Sequence, residues 1–145
     1  MPNRVHERLA AITDDQLRAS ARDVATAFGL DLVLLFGSAV TGDRRSAEDL
    51  DIGVLAPQVI DALAVTDRLM AALGVDEVDV TDLRRANSLL LAIVARDGLV
   101  LYESGPHVFT SFRSLAYRRF ADDRRYRDQT REYIRRFVRE QEPER

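Results

Sequence analysis

The chain has 145 residues, of which 46% are hydrophobic and 31% charged, with a formal net charge of -3 at pH 7; this composition is typical of a globular domain and excludes a disordered or fibrous chain. No apolar run approaches the roughly 20 residues that cross a bilayer, and the first residues lack the apolar stretch of a signal peptide. Cysteine is absent, which excludes disulfides and thiolate metal sites and favours the reducing cytoplasm.

Helical and strand patterns alternate along the chain. A capping box, Thr13–Gln16, begins a helix that Gly29 ends. Short, mostly apolar runs predict four strands, namely Leu30–Phe36, Leu50–Leu55, Val75–Val80 and Leu99–Tyr102. Apolar residues at helical spacing predict two helices between these strands, Pro57–Gly74 and Arg84–Arg96. We therefore expect a single domain, residues 1–145, in which helices surround one sheet.

The last forty residues, 106–145, differ from the rest in charge and pattern. They contain 11 Arg and 7 acidic residues, whereas the preceding part of the chain is acidic. Apolar residues at helical spacing predict a helical extension, with a kink or break near Asp122 and Asp123, where the spacing slips. Mixed charges favour a solvated helix face over nucleic-acid binding. The aromatic residues of the extension predict a surface that docks on the sheet or on a partner protein.

One segment, Leu34–Val54, concentrates residues suited to binding an anion. Gly37 and Ser38 follow the first predicted strand, where a short helical turn would present unpaired backbone N–H groups. Gly37 would let a phosphate approach the backbone closely, and the Ser38 hydroxyl would add a donor. A Gly-Ser pair after a strand is most often only a turn, so this pair alone does not establish a site.

Two carboxylates follow in the second predicted strand. Asp49 and Asp51 are two residues apart, so both side chains emerge on one face. Neighbouring carboxylates repel each other unless a cation lies between them, and oxygen ligands beside phosphate suit Mg²⁺ or Mn²⁺. Asp-x-Asp alone is common, but Gly-Ser followed after ten residues by Asp-x-Asp in an apolar strand is a specific pattern.

This pattern resembles the active-site motif of the minimal nucleotidyltransferases in the DNA polymerase beta-like superfamily, in particular the MNT antitoxins paired with HEPN-domain toxins. A more diffuse similarity continues through VDEVDVTDLRRANSLLLAIVARDGLVLYE, so the resemblance covers most of the chain. It implies an α+β, polymerase beta-like fold: a mixed sheet of about four strands packed by helices, with a long C-terminal helical region. It also implies that Gly37 and Ser38 bind the triphosphate of ATP, and that Asp49 and Asp51 coordinate two Mg²⁺ ions.

The resemblance further implies a third carboxylate that completes the metal site and accepts a proton from the attacking hydroxyl. Alignment of the VDEV segment puts this residue at Asp76, on the same face of the third predicted strand as Val78 and Val80. Asp79, on the opposite face of that strand, is the alternative. The catalytic and metal-binding set predicted from the sequence is therefore Asp49, Asp51 and Asp76.

Two positions depart from the family pattern. Thr41 stands before Gly42 where the family commonly has Arg, and Glu48 stands before the first aspartate where Ser is frequent. Loss of the family Arg removes a phosphate contact that Arg44 or Arg45 would have to replace.

The function implied is that of a Mg²⁺-dependent adenylyltransferase antitoxin. It would transfer AMP from ATP to a tyrosine hydroxyl of a partner HEPN ribonuclease toxin, and we expect a cytoplasmic hetero-oligomer without membrane contact or direct nucleic-acid binding. Two alternatives stay open. The first is a catalytically weak antitoxin that acts by covering the toxin, and the second is a nucleotidyltransferase for a small molecule.

Overall fold

The computed structural model describes residues 4–141, apart from the side chains of residues 6, 45, 140 and 141. A single 3₁₀ turn, Arg44–Ser46, precedes the second strand. The remaining elements in chain order are α1 (Arg4–Ala10), α2 (Asp14–Phe28), β1 (Leu32–Phe36), α3 (Ser38–Thr41), β2 (Leu50–Leu55), α4 (Ala62–Leu73), β3 (Val78–Asp82), α5 (Ser88–Asp97), β4 (Leu99–Glu103) and α6 (Val108–Gln141). Within residues 4–141, no helix is long and apolar enough to cross a membrane.

The four strands form one mixed sheet in the order β3-β2-β1-β4. β1 pairs antiparallel with both β2 and β4, whereas β2 and β3 run parallel. All five residues of β1 are buried, as expected for a central strand covered on both faces. The predicted mixed four-stranded sheet is confirmed.

Apolar side chains of the sheet alternate between two cores. Val33 and Leu35 of β1 belong to one core, which α2 and α4 cover. Leu34 and Phe36 belong to the other, which α5 and the first turns of α6 cover. Because the side-chain period of a strand is two, each face of β2 is assigned in the same way: Leu50, Ile52 and Val54 lie in the first core, and Asp51 faces the second side.

Capping residues mark the starts of the helices more accurately than the apolar pattern does. The capping box is confirmed: the Thr13 backbone N–H donates to Gln16 Oε1 over 2.8 Å, and the Gln16 N–H donates to Thr13 Oγ1 over 3.1 Å. The helix predicted from Pro57 begins instead at Ala62, because Asp61 caps it by accepting from the Ala64 N–H.

The C-terminal helix contains no break among its described residues. α6 runs without interruption from Val108 to Gln141, so the predicted break near Asp122 and Asp123 is wrong. Both aspartates are exposed, where charged side chains interrupt the apolar pattern without interrupting the helix. Tyr126 follows Leu115 by about three turns, so the apolar stripe resumes on the same face.

Candidate functional site

A sharp turn after β1 forms the first part of the site. Gly37 has φ of 76° and ψ of −156°, a conformation that L side chains rarely adopt. α3 begins directly afterwards at Ser38, so its first backbone N–H groups have no acceptor within the helix. Thr41 does not replace the family Arg as a donor to a ligand, because its hydroxyl donates back to the Gly37 carbonyl over 3.1 Å.

Gly37 also meets the second aspartate of the motif. Asp51 pairs with Phe36 across the β1–β2 ladder, which carries its carboxylate to the turn. A Cβ placed on Gly37 would overlap Asp51 Oδ2, so any other residue here would displace this carboxylate from its position. The structure therefore brings Gly37, Ser38 and Asp51 together, and Asp49 is exposed just before β2 begins.

The third carboxylate beside Asp51 is Asp79. In the parallel β2–β3 ladder Asp79 is the direct partner of Asp51, so their side chains share one face of the sheet. The prediction that Asp76 lies on the third strand is wrong, because β3 begins only at Val78 and Asp76 is an exposed residue before it. The structure thus places Asp79, the alternative considered from the sequence, beside Asp51, and it places Asp76 outside β3.

Repulsion and burial act together on Asp51. Partial burial is the main cause that raises the pKa of this carboxyl above its ordinary value, and the negative charges of Asp49 and Asp79 raise that pKa further. Among the described side chains, which do not include that of Arg45, no arginine forms an ion pair with any of the three aspartates. An uncompensated acidic cluster next to free N–H donors fits a divalent cation together with an anionic ligand.

The carboxylates need further ligands to hold a metal. In the described part of the chain, no three or more His, Cys, Asp or Glu side chains are arranged to hold a metal ion by themselves. Mg²⁺ is usually bound by one or two carboxylates together with phosphate oxygens and water. The donor set therefore fits Mg²⁺ bound jointly with a nucleotide triphosphate.

Arg44 does not take the place of the missing phosphate-binding arginine. Its Nη2 lies 2.7 Å from Asp14 Oδ1, and its Nη1 donates to the Ile12 carbonyl over 3.2 Å. The guanidinium thus binds two acceptors in the N-terminal part of the chain. The side chain of Arg45 lies outside the described residues, and Glu48 is exposed.

We expect Gly37→Ala to weaken ATP binding about 10- to 100-fold. The added methyl group would displace the Asp51 carboxylate, and the positive φ would add about 1–3 kcal/mol of backbone strain. Calorimetric titration with Mg-ATP measures the affinity. Gly105→Ala is the matched control, because a Cβ at Gly105 has open space around it; equal affinities of the two variants would contradict the close approach.

Comparisons with known proteins identify the family of the chain. A family model described as "Polymerase beta, Nucleotidyltransferase" matches residues 24–107, more than half of the chain. The protein adenylyltransferase MntA of Aphanizomenon flos-aquae is 30% identical over 95 residues, which cover 57% of this chain and 63% of the relative. MntA of Shewanella oneidensis is 38% identical over 76 residues, which cover 50% of this chain and 54% of the relative. The matches thus span about half to under two thirds of these curated relatives.

Solved structures confirm the predicted fold. The structure of a toxin–antitoxin with AMP-PNP matches with a TM-score of 0.69 and 25% identity, over 85% of this chain and 98% of that chain. A complex of a tri-AMPylated Shewanella oneidensis HEPN toxin with an MNT antitoxin matches with a TM-score of 0.66, over 84% of this chain and 98% of that chain. Its 22% identity shows the fold alone.

Proposed function

Because the chain belongs to the polymerase beta nucleotidyltransferase family, we propose that it is an antitoxin that transfers AMP from ATP to a tyrosine hydroxyl of a HEPN ribonuclease toxin. The observation that carries the proposal is the meeting of the Gly37–Ser38 turn with Asp51 and Asp79 at one end of the sheet. The adenylyltransferase activity of the MntA relatives and the AMP-PNP complex support the choice of AMP as the transferred group.

Each part of the site has a role in the proposed reaction. The first N–H groups of α3 and the Ser38 hydroxyl hold the triphosphate. Asp49, Asp51 and Asp79, together with phosphate oxygens, would hold two Mg²⁺ ions, and these ions would neutralise charge on the transferred phosphoryl group. The tyrosine oxygen attacks the α-phosphorus in line, the bond to the leaving pyrophosphate breaks, and Asp79 accepts the hydroxyl proton. Positioning and charge neutralisation supply most of the rate.

The test is a transfer assay with the purified chain, labelled ATP, Mg²⁺ and a HEPN-domain toxin. We expect label on a tyrosine of the partner, located by mass spectrometry of its peptides, and loss of its ribonuclease activity in parallel. A partner that is silenced without being labelled would favour the covering antitoxin, and transfer to a small molecule alone would favour the small-molecule nucleotidyltransferase.

An exposed apolar surface on α6 supports a protein partner. The α6 stripe, as we call it, consists of side chains that are at least half exposed: Tyr126, Tyr133, Ile134, Phe137 and Val138. It lies on the face of the helix that also carries Leu115, and Leu115 borders a groove of about 650 Å³ between α6 and the far ends of β2 and β3. The residues that line this groove include neither the Gly37–Ser38 turn nor the three aspartates, so partner docking and nucleotide binding would use separate surfaces.

We expect Phe137→Glu in the α6 stripe to reduce partner association at least about tenfold, because it places a charge in an apolar contact. Mg-ATP affinity should stay unchanged, since Phe137 is remote from Asp51. Val59→Glu is the matched control, because Val59 is 83% exposed but lies outside α6. Surface plasmon resonance measures the association; equal loss in both variants, or no loss in Phe137→Glu, would contradict docking through the stripe.

A further inference from the structure

The connection between α3 and β2 determines how the two halves of the site meet. It carries the chain from the Gly37–Ser38 turn to Asp49, so a shift of this connection would move the carboxylate relative to the triphosphate site. The 3₁₀ turn Arg44–Ser46 lies in its middle. The N-terminal helix α1 packs against this turn, as does α3.

Arg44 is the polar link between this connection and the N-terminal helices. Its guanidinium joins two acceptors on one short segment, the Ile12 carbonyl and the Asp14 carboxylate. The Arg44 side chain is only 22% exposed, and its Nε is buried without an acceptor among the described residues. The guanidinium is therefore enclosed against the N-terminal segment rather than offered to a ligand.

Apolar packing supports the same link. Leu9 at the end of α1 and Ile12 before α2 are buried in one core with Ala47, which directly follows the 3₁₀ turn. Leu50, the first residue of β2, lies in that core as well. The N-terminal segment thus holds the connection through the core on one side and through Arg44 on the other.

We propose that Arg44 is a positioning residue, which fixes the distance from the Gly37–Ser38 turn to Asp49 by fastening the connection to Ile12 and Asp14. The inference rests on the proposed AMP transfer and deepens it. It assigns a role in catalysis to residues 12–14, which precede the part of the chain matched by the family model. A misplacement of about 1 Å can cost up to about 100-fold in rate, so a loosened connection should be visible in kinetics.

The decisive comparison is Asp14→Asn with Asp15→Asn. Both variants remove one acidic charge from the first turn of α2, so they change the helix terminus alike, but only Asp14 contacts Arg44. We expect Asp14→Asn to lower kcat of AMP transfer about 3- to 10-fold and to weaken Mg-ATP binding in calorimetry, with Asp15→Asn near wild type. Arg44→Ala should lower kcat about tenfold or more, and Arg44→Lys should recover part of the loss because it retains the charge but not the two-pronged geometry.

Two other results for the variants would overturn the inference, and the behaviour of the wild type separates it from the proposed function. If Arg44 contacted phosphate, Asp14→Asn would free it and leave activity unchanged or higher while Arg44→Ala lost ATP affinity. If Arg44 were only structural, its variants would melt at lower temperature but keep wild-type kcat and ATP affinity well below that temperature. Wild-type protein that binds Mg-ATP without transferring AMP would refute the proposed function alone, and the affinities would still decide the role of Arg44. Wild-type protein without Mg-ATP binding would refute both.

Discussion

Asp51→Asn is expected to lower AMP transfer about 1,000-fold or more while leaving the fold intact. The substitution removes a metal-binding carboxylate at the centre of the site, and metal charge stabilisation is worth several kcal/mol. Asp49→Ala should act in the same direction. Transfer of labelled AMP to the HEPN partner measures the loss, and thermal unfolding shows that the variant is folded. Full transfer by either variant would refute the metal-binding role.

The stability of Asp51→Asn should equal or exceed that of the wild type at neutral pH. A raised pKa in the folded state means that folding disfavours the ionised carboxylate. The destabilisation of the wild type by the ionised Asp51 carboxylate is therefore absent below the ordinary Asp pKa of 3.8. It grows as the pH rises from there through the folded-state value, and it then stays constant.

Unfolding by urea at a series of pH values checks this sign. The free energy of unfolding of Asp51→Asn minus that of the wild type should be near zero at the acid end and positive at neutral pH. Asp67→Asn is the control, because Asp67 is exposed on α4 and its variant should show no such trend. A variant that loses stability at neutral pH would contradict the account of mutual repulsion.

Asp79→Asn is expected to lower transfer about 100- to 1,000-fold, whereas Asp76→Asn should stay within about twofold of the wild type. Asp79 is the ladder partner of Asp51 and raises its pKa by direct repulsion, so it stands where a shared cation would bind. Removing one of the neighbouring carboxylates should weaken Mg-ATP binding and the acceptance of the hydroxyl proton together.

Asp76→Asn and Asp79→Asn form a matched pair, because the two residues lie only three positions apart in the chain. Both residues are exposed aspartates, and both substitutions remove one charge and keep the shape. Mg-ATP titration measures the affinity of each variant, and the kinetics of AMP transfer measure its activity. If Asp76→Asn lost activity and Asp79→Asn kept it, the third carboxylate would reach the site from before β3, and the ladder position of Asp79 would have no catalytic meaning.

The positions of Asp76 and Asp79 show how far the alternation of apolar and acidic residues along a strand identifies the third carboxylate. In β2 the apolar residues Leu50, Ile52 and Val54 pack into the core, and Asp51 is on the other face. The same alternation applied to β3 turns Val78 and Val80 inward and puts Asp79 beside Asp51. The indication available in the sequence was therefore an acidic residue on the face opposite to the apolar residues. It identifies Asp79 as the neighbour of Asp51 only when β2 and β3 pair in the observed parallel register, which long-range pairing establishes.

Residue types and local spacing by themselves determined the elements and the core of the site. Strand and helix patterns follow from side-chain periodicity, the ends of α2 follow from the Thr13–Gln16 box and Gly29, and the Gly-Ser and Asp-x-Asp pattern indicates phosphate and metal chemistry at Gly37, Ser38, Asp49 and Asp51. Each of these depends on neighbours a few residues apart, where the chain itself sets the geometry.

Only the tertiary structure decided which distant residues lie in the candidate site and which contact other parts of the chain instead. Parallel pairing of β2 with β3 brought Asp79 to Asp51, and the packing of the N-terminal segment turned Arg44 from a candidate phosphate ligand into a partner of Asp14 and Ile12. The continuity of α6 was also decided there, because a helix whose outer half is exposed tolerates Asp122 and Asp123 in its stripe. Such contacts join residues far apart in the chain, and local periodicity does not encode which of several acidic or basic residues will meet.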